Sequence, residues 1–174
     1  MELNGKTLGI FGFGNIGNEV AKIAQAFNMN VLLYSRTKKQ TSYPYASSVE
    51  EFFSKCDFIT IHCPLTKNTA RLINEKTLSL MKKSAVLINT SRGGVVDEIA
   101  LKNALDKQVI AYAYLDVLDK EPMSKDCPLL NTKNITITPH IAWAPTETRQ
   151  RLINIVAFNV KSFLENNPQN VVNN

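Results

Sequence analysis

Six residues, Gly12-Phe-Gly14-Asn-Ile-Gly17, carry the most telling spacing in the chain. In a G-x-G-x-x-G run the first glycine permits a tight turn. The second lets backbone approach an anion with no side chain in the way, and the third lets a helix pack close to a sheet. The free amides of such a helix start, with the positive end of its dipole, face phosphate oxygens. The implied chemistry is the cradling of a pyrophosphate, with Asn15 and Ile16 at the helix start. Glycines that serve only a turn are the weaker reading, because an apolar strand precedes this run and a helical pattern follows it.

A dinucleotide also needs its adenosine ribose read, usually by an acidic residue at the end of the second strand. That place holds Tyr34-Ser35-Arg36-Thr37-Lys38-Lys39. With no carboxylate to repel a 2′-phosphate, Ser35, Arg36 and Thr37 can receive NADP. NAD bound through Ser35, with the cations merely covering a loop, stays open.

The remaining reactive side chains are few. The two histidines are His62 and His140, and the three cysteines Cys56, Cys63 and Cys127 share no metal-ligand spacing. His62 and Cys63 are adjacent, so on a strand end they point opposite ways and read as cleft wall; no metal site is expected.

The elements that would position these groups alternate. Strands are expected at Thr7–Phe11, Asn30–Tyr34, Phe58–Ile61, Ala85–Asn89, Ile110–Leu115 and Ile135–Ile137. Helices are expected at Asn15–Phe27, at Ser48–Lys55 behind a Ser48/Glu51 capping box, and from Asn74 through Met81. Two more are expected at Asp97–Lys107 and from about Thr146 to Asn166. In the first helix Ile16, Val20, Ile23, Ala24 and Phe27 recur at helical spacing, and in the fourth Ile99, Leu101, Ala104 and Leu105. Trp143 and the long last helix read as packing. Strand–helix alternation implies an α/β, Rossmann-type doubly wound parallel sheet in three α/β/α layers, a single domain over residues 1–174.

Beyond the glycines, the chain resembles the D-isomer-specific 2-hydroxyacid dehydrogenases over essentially its whole length. The blocks are GFGNIG (12–17), IHCPLTKNT (61–69), LINTSRGGVVDE (87–98), LDVLDKEP (115–122) and TPHIAW (138–143). The later blocks sit at carboxyl ends of expected strands, where open α/β sheets bind ligands. The resemblance implies that Arg92 grips a substrate carboxylate with paired hydrogen bonds. It implies that His140 exchanges the proton of the reacting oxygen and that Glu121 pairs with that imidazole. Asp116 is placed against the nicotinamide carboxamide, and Cys63, Pro64, Thr69, Thr90, Ser91 and Ala142 line the cofactor cleft. Arg92 and His140 are also counted against the cofactor. On residue type alone, Arg92 reads equally as a surface arginine beside Gly93-Gly94. His140 alone would be a satisfied loop residue, and Glu121 a surface glutamate.

The function implied is hydride transfer between NAD or NADP and a small 2-oxo or 2-hydroxy acid. The HIAWAP form after His140 looks most like the glycerate dehydrogenase and hydroxypyruvate reductase branch. The alternative is a dinucleotide-sensing or corepressor-like module that binds without chemistry. The formal charge is +5, but lysines such as Lys82-Lys83 and Lys102 and Lys107 are scattered, so nucleic acid is not an expected partner. No apolar run reaches membrane-spanning length, no secretion signal opens the chain, and a cytoplasmic location is expected. A homodimer and a monomer both stay open. The substrate domain of the family is expected to be absent from this chain. On that expectation the polypeptide binds dinucleotide but turns substrate over poorly, because half the cleft wall and its closure are missing.

Overall fold

In the computed structural model, which describes residues 2–172, contacts divide the chain into two compact units, Met1–Pro139 and His140–Asn174. The first holds a parallel sheet of β1 (Thr7–Phe11), β2 (Asn30–Tyr34), β3 (Phe58–Ile61), β4 (Val86–Asn89), β5 (Tyr112–Leu115) and β6 (Ile135–Ile137). Their order is β2-β1-β3-β4-β5-β6, so the sequence order reverses beside β1 and opens a crevice between the carboxyl ends of β1 and β3. All six expected strands form, within two residues of their expected starts.

The sheet carries helices on both faces. Helix α1 (Asn15–Ala26) lies on one side over Leu8, Ile10, Val31 and Leu33. Helices α2 (Val49–Lys55), α3 (Glu75–Ser79) and α4 (Glu98–Asp106) lie on the other, over a larger core. That core holds Phe52, Phe53, Ile59, Ile61, Leu87, Leu101 and Leu105, all fully or nearly fully buried. Among the described residues of this unit, α1 is the one helix on the first face. There Tyr114 on β5 is 48% exposed, and Tyr112 sits within hydrogen-bond reach of Thr136 on β6.

Several local expectations need correction. In α1 the buried residues are Gly17, Ala21 and Ala24, whereas Ile16, Ile23 and Phe27 face outward. Small residues let the helix axis approach the strands, which turns the bulkier neighbours toward solvent. Ile99 likewise points out of α4. The Ser48 hydroxyl caps α2 by accepting from the Glu51 amide, but the Glu51 carboxylate reaches back to the amide of Ser47, one residue earlier than a capping box requires. Helix α3 stops at Ser79, and its cap is a reciprocal Asn74–Thr77 pair.

The second unit contains α5 (Thr146–Leu164) and a short tail. Its apolar residues are not packing, contrary to expectation. Leu152, Ile155, Val156, Val160, Phe163 and Leu164 are all at least 49% exposed, and Trp143 is exposed with its indole N–H donating to the His140 carbonyl. One helix and a tail offer no second layer against which an apolar stripe can bury.

Asp57 ties together the beginnings of three strands. Its carboxylate accepts from the Thr7 amide and pairs with Lys82, both at 2.8 Å. Its backbone amide donates to Thr7, and its carbonyl accepts from Val86. Burial alone would raise this carboxyl's pKa, but Lys82 and the Thr7 amide outweigh it and hold the group below its usual value. A depressed folded-state pKa gives stability that is present above the unfolded value, about 3.9, and lost as pH falls through the folded one. Asp57→Asn is therefore expected to lose about 1–2 kcal/mol near neutral pH and to show a shallower acid limb below about pH 4. Urea unfolding across that range measures both.

Candidate dinucleotide site

The glycine turn follows β1 directly. Gly12 has φ +98°, a conformation that L side chains rarely adopt, and its amide donates to the Tyr34 carbonyl at 2.8 Å. A Cβ at Gly17 would lie 2.5 Å from the Gly12 carbonyl oxygen, so helix α1 and the turn are in contact there. At Gly14 a Cβ would meet nothing within 4 Å. Gly14 is the N-cap of α1, no side chain caps that end, and no acidic residue stands in the first turn. Gly14, Asn15 and Ile16 are exposed. An open, uncapped and unopposed helix start fits a pyrophosphate.

Beside it, at the end of β2, the Ser35 hydroxyl donates to the Thr37 carbonyl at 2.7 Å. Arg36 and Thr37 are exposed, and the Lys38 ammonium lies over the Tyr45 ring. Tyr45 itself makes a parallel bridge to Leu33 that continues the sheet past β2.

Across the crevice, β3 runs into His62, Cys63 and Pro64. The two neighbouring side chains do diverge: Cys63 is buried in the larger core, whereas the His62 ring turns back to Thr60. Burial raises the Cys63 thiol above its ordinary pKa, which keeps it protonated. The loop beyond closes on itself, with the Thr69 hydroxyl donating to the Pro64 carbonyl at 2.6 Å and accepting from the Thr66 amide.

After β4, Asn89 is completely buried and shapes the next turn. Its Oδ1 accepts from both the amide and the hydroxyl of Ser91, and its Nδ2 donates to the Arg92 carbonyl at 2.9 Å. Thr90 and Arg92 are thereby presented at the edge, both exposed. Asp116, one residue past β5, is nearly buried and accepts from the Thr138 hydroxyl, one residue past β6. Glu121 folds back so that its Oε1 accepts from the Leu118 amide at 2.9 Å, and Glu98 holds the adjacent Asp119 amide. Gly93 presses on that same segment: a Cβ there would fall 1.9 Å from the Leu118 carbonyl carbon. The Arg92 turn and the Glu121 loop are thus in backbone contact. His140, with φ +55°, and Ala142 belong to the second unit.

The family model that matches residues 1–142 is the NAD binding domain of D-isomer specific 2-hydroxyacid dehydrogenases. The chain belongs to that family. It is 42% identical, over 99% of its own length and 55% of the relative, to a hydroxypyruvate reductase of Blautia hydrogenotrophica. It is 45% identical, over 98% of this chain and 53% of the relative, to a glyoxylate reductase of Thermococcus litoralis. The TT0316 protein of Thermus thermophilus superposes with a TM-score of 0.94 at 42% identity, covering 99% of this chain and 55% of that one. The chain spans about half the length of the curated relatives it matches.

In this NAD-binding domain, the first unit gathers Gly12, Gly14, Gly17, Ser35, Pro64, Thr90, Arg92, Asp116 and Glu121 along the carboxyl edge of the sheet. Asn89 and Gly93, which shape that edge, escaped sequence reasoning. A polar Asn closing an apolar strand before Thr-Ser was the available signal, as Asn favours turns that bond to its own following backbone. Among the described residues, no group of three His, Cys, Asp or Glu could hold a metal, and no helix is long and apolar enough to cross a membrane.

Proposed function

We propose that the protein carrying this chain is an oxidoreductase that moves a hydride between a nicotinamide dinucleotide and a small 2-oxo or 2-hydroxy acid, of the hydroxypyruvate/glycerate or glyoxylate type. The observation that carries it is the meeting of the Arg92 turn and the Glu121 loop at the carboxyl edge of the sheet that bears the glycine cradle. Gly14, Asn15 and Ile16 would present amides to the pyrophosphate, and Ser35, Arg36 and Thr37 would face the adenosine ribose. Asp116, Thr90, Ser91, Cys63, Pro64, Thr69 and Ala142 would border the remainder of the cofactor. The bound cofactor supplies or accepts the hydride. Arg92 binds the substrate carboxylate and fixes the carbonyl beside it. His140 gives a proton to the carbonyl oxygen in reduction and takes it from the hydroxyl in oxidation, and Glu121 is the carboxylate that the family resemblance assigns to it. Three free cysteines accord with a reducing, cytoplasmic setting.

Turnover of hydroxypyruvate, glyoxylate and pyruvate, each with NADH and NADPH, tests the reading. Among these, hydroxypyruvate or glyoxylate is expected to be reduced fastest, and His140→Gln to lower kcat by about 10²–10⁴-fold, with a far smaller loss of cofactor affinity. Cofactor binding with no oxidation by any of the three acids would leave a dinucleotide-sensing module instead.

A further inference from the structure

We infer that His62 is a positioning residue for the dinucleotide turn, held in place by Thr60. The His62 amide extends the parallel ladder past β3 by donating to the Phe11 carbonyl at 2.8 Å. Its ring then folds back along the strand, bringing Nε2 to 2.9 Å from the Thr60 hydroxyl, in a residue only 4% exposed. The peptide joining His62 to Cys63 lies directly against Gly12. A Cβ at Gly12 would fall 2.7 Å from the His62 carbonyl carbon and 2.8 Å from the Cys63 nitrogen. Gly12 in turn touches Gly17 through its carbonyl oxygen.

An unbroken line of contact therefore runs from the Thr60–His62 side-chain pair through one peptide to the turn and the first residues of α1. Those are the amides that the dinucleotide needs. A shift of the His62–Cys63 peptide reaches the turn through the His62 amide bond to Phe11, which precedes Gly12, and through the close approach of that peptide to the Gly12 backbone. Cys63 anchors the far side of the same peptide in the larger core, so the pair on one face and the thiol on the other fix its plane. Burial lowers the proton affinity of the imidazole, in keeping with a neutral ring bonded to a hydroxyl. This role concerns cofactor binding alone and stands apart from the proton and carboxylate chemistry proposed above.

The test is calorimetric titration of NADH into the chain and its variants, with a thermal melt of each without ligand. His62→Ala and Thr60→Val are each expected to weaken NADH by about five- to tenfold, the worth of one buried hydrogen bond. The double variant is expected to be no weaker than the worse single one, because both remove the same contact. Thr60→Ser, which keeps the hydroxyl, should bind as the parent does. Unchanged NADH affinity in folded Thr60→Val, or strictly additive losses in the double variant, would overturn the inference. Should His62→Ala not fold, the Thr60→Val and Thr60→Ser comparison decides it alone: equal affinities reject the role, and loss with rescue upholds it.

Discussion

Gly93→Ala is expected to lower the stability of the first unit by about 3 kcal/mol or more and its melting temperature by roughly 10 °C. The reason is steric. A Cβ at this position would sit 1.9 Å from both the carbon and the oxygen of the Leu118 carbonyl and 2.4 Å from the Asp119 amide nitrogen. No rotamer change relieves it, since all three atoms are backbone. Neither segment can retreat cheaply. The Gly93 side is pinned by the Val96 amide on its carbonyl and by the Asn89 side chain on the Arg92 carbonyl. Just beyond, the Arg71 amide bonds to Gly94 and the Ile73 amide to Val95. The Leu118 side is held by Glu121 at the Leu118 amide and by Glu98 at the Asp119 amide. The overlap must therefore break hydrogen bonds on one side or the other. Gly94→Ala is the control: its nearest contacts are Leu65 and Asp119 side-chain atoms at 3.0 Å and beyond, which can move. Thermal melts of the two variants should separate clearly, and equal melts would show that the Leu118 loop is softer than its bonding implies.

Much of this architecture was legible in the sequence because parallel strands buried on both faces read as unbroken apolar runs. β1, β2, β3 and β4 are nearly such runs, TLGIF, NVLLY, FITI and VLIN, with glycine or asparagine marking several of their ends. The cradle was legible for a related reason: Gly12, Gly14 and Gly17 each answer a local demand of backbone shape, which spacing reports directly. What could not be read is set by contacts between distant segments. Nothing near Gly93 announces that Leu118, 25 positions on, will lie against it. Nor does the pattern of α1 reveal that Gly17 and Ala21 join Ala24 on the inward face, because apolar periodicity adds Ile16, Ile23 and Phe27 to it instead. The choice is made by how closely the helix must approach the sheet to bring Gly17 onto Gly12. Arg92, Glu121 and His140 were reached through resemblance, because one arginine, one glutamate and one histidine have no spacing of their own.

That same close approach makes Gly12 the position where one methyl group should cost the most function. Gly12→Ala is expected to weaken NADH binding by about 100-fold, from two additive causes. The alanine must hold φ near +98°, a conformation costing on the order of 1–3 kcal/mol outside glycine. Its Cβ must also displace the His62–Cys63 peptide, which it would meet at 2.7–2.8 Å, at about 1–3 kcal/mol more. Part of that strain is relieved by moving the turn, and a moved turn no longer aims the α1 amides at the pyrophosphate. Loss of affinity should therefore exceed loss of stability, since the folded chain can shed strain through the exposed loop while a bound dinucleotide cannot. Gly14→Ala separates strain within the turn from crowding of the cofactor. Its Cβ meets nothing in the protein, so its melt should match the parent, and any loss of NADH affinity must come from crowding the cofactor itself. If Gly12→Ala bound NADH as the parent does, the pyrophosphate would have to sit elsewhere than on this turn.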